Sequence, residues 1–469
     1  MNTIKYEQIV DLLDTNKVNR VIIVASLITA IGGFLFGYDT GIIGSALPYV
    51  TPYFHLGTTD VAFLVAGESA IAGLGALAAG PIVDRYGRKK LLIVDGIMYA
   101  VFALLTAIAI SGILLIIWRS LIGFAIGADT AIATGYISEL SPKRVRGRLA
   151  IIQQLMIFSG ITASFWAGYF LSFTANWRLM FGLGAIPAII LIALRFYLPE
   201  SPRWLLIQGQ EEKAKESLKK LGLFIKENIV PPKKEKNFKE LLHDNKSIIN
   251  IIIIVGLWLM FQQVTGINII LYYGPTIYRY LGLTGSKGIL YTAISESLGG
   301  IEEFASFLLI DKWGRRKLGI FGYSGLIFSL LLMVIGAYYL GIHIISLSVA
   351  FIFSSMILYL LFYHAGVGGV GWVLQGETLP TEFRGRGMGI LAAIDWFSNF
   401  FIIYIFPFWK ASFGIFSFFI FELILSVLAT IYVILLVPET KGVPLDEIPR
   451  LFNKNLKRYW KIAKKEESK

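Results

Sequence analysis

Residues 80–90 read GPIVDRYGRKK, and residues 307–317 read FLLIDKWGRRK. In both, an apolar run ends on an aspartate, a glycine interrupts the chain, and basic residues open the next apolar run. Two more pairs keep the same order: SELSPKRVRGR at 138–148 with GETLPTEFRGR at 376–386, and LPESPRW at 198–204 with VPETKG at 437–442. The offsets are all roughly 230–240 residues, the sign of one unit repeated in parallel around a midplane site. The chain therefore reads as two related halves.

What fills the halves follows from composition. Of 469 residues, 56% are apolar and 16% charged, and the mean hydropathy is +0.68, which excludes an ordinary soluble chain. Apolar runs of about 20 residues, enough to cross a bilayer as helices, recur about twelve times. They lie near 21–48, 61–83, 91–111, 112–137, 149–172, 179–198, 249–280, 288–310, 318–340, 344–376, 387–408 and 412–437. The expectation is an all-α membrane protein with twelve transmembrane helices in two six-helix bundles, 21–199 and 249–437. The first run is too long for a signal h-region and lacks a small-residue cleavage pattern, so it reads as a retained helix.

The polar segment 200–248 divides the bundles, and its EEKAKESLKKL (211–221) has the spacing of an amphipathic helix. It is expected to be a cytoplasmic helical linker, with residues 1–20 and 438–469 as cytoplasmic ends. The NKS at Asn245 falls inside this linker and is a chance match to a glycosylation pattern. Orientation comes from the basic loops, because short loops rich in Lys and Arg stay on the cytoplasmic side. The formal charge of +12 sits at the ends of the spans, where that bias accounts for it, so no nucleic-acid partner is predicted. No nucleotide loop, metal cluster or nucleophile constellation is present, and the chain is not expected to be an enzyme or to hold a cofactor or metal. The absence of cysteine excludes disulfides.

GYDTGIIG (37–44), DRYGRKK (84–90), PESPRWL (199–205), QQVTGIN (262–268), DKWGRRK (311–317), GETLPTEFRGRG (376–387) and PETKG (438–442) together resemble the sugar porters of the major facilitator superfamily, over nearly the whole chain. DRYGRKK alone signals only the superfamily; PESPRWL with QQVTGIN and PETKG is specific to sugar porters. The resemblance implies two six-helix bundles and an alternating-access cycle at the cell membrane, with both termini inside. It also implies a cytoplasmic gate made by Asp84, Arg85, Arg88, Glu139, Arg146 and Glu200 in one half and Asp311, Arg315, Arg316, Glu377, Arg384 and Glu439 in the other. The alternative for these charges is anchoring of topology.

A hexose is a ring of hydroxyls with an apolar face, so its site needs uncharged bidentate amides and an aromatic. FQQVTGINIILYYG (261–274) supplies Gln262, Gln263 and Asn268, followed by Tyr272 and Tyr273. At 100° per residue these amides do not share a helix face; Gly266 is expected to break the helix and bring them together. The family uses the same three amides on the sugar. RLAIIQQLM (148–156) offers Gln153 and Gln154, of which the resemblance assigns Gln154 to the sugar, and Phe36 matches a cavity aromatic. Four glycines precede Trp372 in GVGGVGWVLQGE (366–377), letting the helix bend, and AAIDWFSNF (392–400) adds Trp396 and Asn399. Interhelical hydrogen bonding and plain packing are the competing readings of these side chains. The chain departs from the family at Gly299, with Glu302 and Glu303 nearby, at His364, at Asp395, which stands where an amide is usual, and before Trp372, where glycine replaces proline.

Asp39 lies in an apolar run, and a lone carboxylate in hydrocarbon costs at least about 2.5 kcal/mol on insertion scales. Arg119, in WRSLIGFAIGADT (118–130), is its partner by the resemblance, which pairs the two positions in proton-coupled members. Asp39 is therefore the expected proton site; a static ion pair is the alternative. Glu68, Asp95, Asp129, Glu296, Glu302, Glu303 and Asp395 are further acids within spans, without an order among them. The expected function is import of a monosaccharide, an aldohexose such as glucose, with a proton, by a chain that works as a monomer in the lipid bilayer. A facilitative uniporter and a transporter-like sensor are the alternatives.

Overall fold

A backbone crossing hydrocarbon must satisfy its own N–H and C=O groups, and every long apolar run here does so as α-helix. The computed structural model describes residues 3–142, 145–230, 246–283, 286–379, 383–443 and 448–452, without the side chains of 134, 138, 146–148, 150, 151, 246, 300–308, 311, 384 and 385. The helices are α1 Arg20–Tyr53, α2 Thr58–Tyr86, α3 Arg88–Ala107, α4 Gly112–Leu140, α5 Arg146–Ser172 and α6 Trp177–Arg195. There follow α7 Ser247–Tyr280, α8 Ser286–Trp313, α9 Arg315–Gly341 and α10 Ile345–Thr378. A last helical stretch, Arg384–Leu436, divides at Gly414 (φ +79°) into α11 (384–413) and α12 (415–436). Among the described residues, twelve long helices match the expectation from hydropathy.

Besides the turn at 183–184 in α6, two helices of the second unit are interrupted. α7 stops at Val264 and restarts at Ile267, and α10 passes through a π-turn at His364–Gly368. Both interruptions fall in glycine-containing stretches, where the freed backbone groups find partners on neighbouring helices. Tyr359 of α10 donates its hydroxyl to the carbonyl of Thr265 at 2.8 Å, and the indole of Trp258 donates to the carbonyl of Val367 at 3.2 Å.

The chain forms two compact units, Met1–Glu235 and Lys236–Lys469. In the first, α1 lies along α5 through Gly33, Gly37 and Gly41, where any side chain would collide with Gln153, Ile157 or Ser164. α2 meets α4 in the same way at Gly75, Gly123 and Gly127. Small residues at such crossings let helix backbones approach where no hydrophobic force distinguishes helix from lipid. Large apolar side chains such as Ile113, 70% exposed, and Phe170, 64% exposed, form the outer surface.

The polar ends of the first unit are ordered together. Strand β1 (Thr3–Lys5) pairs in parallel with β2 (Asn228–Val230), and Asp14 of the helix Tyr6–Thr15 bonds Arg203 at 2.6 Å. The helix Glu211–Lys220 buries Ala214, Ser217 and Leu218, the amphipathic face expected of the linker.

Candidate functional site: a polar network at the break in α7

Gly266 sits at φ +114°, a left-handed conformation that L side chains resist, at the point where α7 restarts. The break turns Asn268 back so that its Nδ2 donates to Gln263 Oε1 at 2.5 Å. Gln262 and Gln263 then donate their Nε2 groups to the same oxygen, Asp395 Oδ1 on α11, at 2.9 and 2.8 Å. The three amides that a continuous helix would scatter are thus joined, and the group that joins them is a carboxylate. Gln262 Oε1 is buried without a donor among the described residues.

The aromatics surround this network in the second unit. Tyr273 is buried, its ring 4.6 Å from that of Phe406, and its hydroxyl is unpartnered among the described residues. Trp396 and Asn399 are buried on α11, beside and one turn beyond Asp395. Trp372 is half-buried on α10, just past the π-turn. In the first unit, Gln153 is buried against α1 at Gly33, while Gln154 and Phe36 are half-buried.

The first unit buries its acids on guanidinium groups. Arg119, fully buried, approaches Asp39 Oδ2 at 3.0 Å, bonds Glu68 with the same nitrogen, and donates Nε to the Leu64 carbonyl at 3.0 Å. Arg195 bridges Asp95 and Asp129 with its two terminal nitrogens, Nη1 and Nη2 in turn, and also donates Nη1 to the Leu92 carbonyl. Gly32 of α1 leaves the space that Asp129 and Arg195 occupy. Sequence reasoning had paired Asp39 with Arg119 but overlooked Arg195. The signal was available, since an arginine in LIALRFYL (191–198) carries the same membrane cost as Asp39.

Glu422 was overlooked too. It is buried on α12, directly beneath Gly266, so that a side chain at 266 would strike its carboxylate. Glu296 on α8 is also fully buried. Among the described residues, Glu296, Asp395 and Glu422 have no ion pair.

The repeated loops fold alike in the two units. Gly87 (φ +94°) and Gly314 (φ +89°) turn the chain between α2 and α3 and between α8 and α9. Each turn exposes the first N–H groups of the next helix to a carboxylate, the anion such an end prefers. Glu200 accepts from the backbone N–H of Arg88 and Lys89 at 3.0 and 3.2 Å, and Glu439 from those of Arg315 and Arg316 at 2.9 and 3.1 Å. Burial pushes the Glu200 carboxyl above the usual range, against these backbone donors. Arg88 bonds Glu139 at 2.9 Å and lies 3.9 Å from Asp84; Arg315 bonds Glu377 at 3.1 Å. Arg85 lies over the ring of Tyr86, and Arg316 donates to the Ile434 carbonyl at 2.7 Å. The side chains of Arg146, Asp311 and Arg384, like those of Glu302 and Glu303, lie outside the described residues.

Twelve long helices among the described residues, in two repeated halves, with buried charges and an interrupted helix carrying amides, define a membrane transporter of the major facilitator fold. The model of the sugar (and other) transporter family matches residues 25–452, and the chain belongs to the sugar porter family. Among its relatives, the D-xylose transporter of Levilactobacillus brevis is 34% identical, over 89% of this chain and 93% of its own length. The glucose transporter GlcP of Staphylococcus epidermidis is 32% identical, over 92% of this chain and 97% of its own. The proton:xylose symporter XylE bound to 6-bromo-6-deoxy-D-glucose, a solved structure, is similar with a TM-score of 0.75 and 25% identity, over 92% of this chain and 99% of that one. The protein is a multi-pass membrane sugar transporter and not an enzyme.

Proposed function

We propose that the protein imports a monosaccharide together with a proton, by alternating access, as a monomer with both termini in the cytoplasm. The observation that carries the coupling is the arrangement at Arg119, where two buried carboxylates, Asp39 and Glu68, share one guanidinium. With both acids ionised the trio keeps one unbalanced negative charge inside the bilayer, and one proton removes it. Asp39 is the group we assign to that proton, with Glu68 keeping Arg119 neutralised meanwhile. The similar proteins, a glucose transporter, a D-xylose transporter and a proton:xylose symporter, support sugar and proton as the pair carried.

The sugar is an aldohexose such as glucose, with xylose close behind. Gln154, Gln262, Gln263 and Asn268 bind its hydroxyls, and Trp372, Trp396, Tyr273 and Phe36 its apolar faces, with Gln153 and Asn399 completing the polar set. The carboxylates that cap α3 and α9, with the pairs Arg88–Glu139 and Arg315–Glu377, belong to the cytoplasmic gate.

The test is accumulation of labelled sugar in proteoliposomes whose interior is made alkaline, with D-glucose and D-xylose among the panel. Wild type should concentrate one of them, and Asp39→Asn should exchange that sugar without concentrating it. Undiminished accumulation by Asp39→Asn moves the proton elsewhere. A wild type that only equilibrates sugar makes this a uniporter with a static ion pair.

A further inference from the structure

We propose that Asp395 is a second proton-binding group, one that takes up its proton when sugar enters the site; this rests on the reading of Gln262, Gln263 and Asn268 as sugar ligands. The starting point is the direction of the hydrogen bonds. Asn268 donates to Gln263, and Gln263 and Gln262 both donate to Asp395 Oδ1. A chain in which every amide donates toward one oxygen is oriented by a charged acceptor at its end.

Nothing else on Asp395 balances that charge. The residue is 3% exposed and has no ion pair among the described residues. The titratable groups that the surrounding helices bring include Tyr272 and Tyr273 on α7, Tyr323 on α9, Tyr359, Tyr363, His364 and Glu377 on α10, and Glu422 and Tyr432 on α12. Asp395 is hydrogen-bonded to none of them, and Glu377 is engaged by Arg315 at the helix end. The two amide N–H groups are therefore the donors that favour its charged form against the cost of burial.

A sugar competes for those same N–H groups. When its hydroxyls take Nε2 of Gln262 or Gln263, Asp395 loses the donors that favour its charge in a water-poor site, and the neutral acid becomes the favoured form. A proton from solvent in the open cavity then adds to the carboxylate. The new O–H has acceptors at hand, a sugar hydroxyl or Gln262 Oε1, which is buried and without a donor. Linkage is reciprocal, so a proton on Asp395 also frees the amides and tightens sugar binding. An amide at this position cannot act in this way, since it has no proton to gain.

The experiment is titration calorimetry on the purified full-length protein with D-glucose and D-xylose, each in buffers of different ionisation enthalpy, which counts protons taken up per sugar bound. Wild type should take up protons on binding, and uptake should fall in Asp395→Asn while the sugar still binds. Asp395→Glu, which keeps the titrating group, should retain uptake. Equal uptake in wild type and Asp395→Asn, or none in wild type that binds sugar, overturns the proposal and leaves the sugar site standing. If wild type binds neither sugar, the amide reading fails and this inference with it. Should Asp395→Asn fail to fold, uptake by Asp395→Glu equal to that of wild type at every pH, with no displaced midpoint, counts against it.

Discussion

The two units bury acids in opposite ways. The first holds Asp39, Glu68, Asp95 and Asp129 on two guanidinium groups, two acids to each. The second holds Asp395 on amides and buries Glu296 and Glu422 with no Arg or Lys ion pair among the described residues. Paired charges are costly to part, so the first unit has fixed internal struts whose protonation changes a net charge. In the second unit only Asp395 has hydrogen-bond donors on it among the described residues, and those donors are the amides proposed above to hold the sugar. On the function proposed above, coupling belongs to the first unit and response to the sugar to the second.

The largest expected effect breaks a strut. Arg195→Met keeps the bulk of the side chain but strands Asp95 and Asp129 against each other in the bundle interior. Removing one partner of a buried ion pair costs about 3–5 kcal/mol. Thermal unfolding of the purified protein should show a large fall in Tm, and Arg195→Lys should restore part of it. An unchanged Tm would mean that the two acids are neutral without Arg195, and the units would then be alike.

Next is Gly266→Val in the other unit. The left-handed backbone at 266 costs a β-branched residue on the order of 1–3 kcal/mol, and the new side chain also strikes the Glu422 carboxylate. The break in α7 should shift, separating Asn268 from Gln263, so sugar affinity should fall further than with loss of either amide alone. Wild-type affinity would show that the break does not align the amides.

Gln263→Ala ranks third. It removes a group that donates to Asp395 and accepts from Asn268. Losing one buried hydrogen-bonding partner costs about 1–3 kcal/mol, or roughly 5- to 150-fold in Kd for sugar. A calorimetric Kd equal to wild type would separate this network from the sugar.

How far each half was legible follows from the range of the forces involved. The helices and the repeat were readable because lipid imposes the same cost on every crossing, and the loop carboxylates recur at matching places in both repeats. Gln262, Gln263 and Asn268 were readable as a set because the helix break has a local cause, Gly266. The partner that joins them was not, since Asp395 lies more than a hundred residues away along the chain and only tertiary packing brings it to the amides. Glu68 on Arg119 and the bridge at Arg195 are of the same kind. The membrane cost marks each charge as needing a partner, but only the packing of α1 through α6 decides which.

The smallest effect is expected at Glu422, and it is the sharpest test of the comparison. Glu422→Gln keeps the shape under Gly266 and deletes the charge. In the first unit the equivalent change, Asp95→Asn, takes a carboxylate from a guanidinium and should lower Tm clearly. At Glu422 there is no ion pair to lose among the described residues, and one carboxylate oxygen has no hydrogen-bond donor. A buried carboxyl in that setting is best accommodated as the neutral acid, which an amide mimics. The expected change in stability is therefore within about 1 kcal/mol, of either sign, because a swap that leaves no charge unpaired avoids the large losses known for buried ion pairs. Thermal unfolding of Glu422→Gln beside Asp95→Asn measures both at once. A fall at Glu422 as large as that at Asp95 would mean that the carboxylate is ionised and braces the start of the second half of α7 through its charge, and the contrast between the two units would be lost at that position.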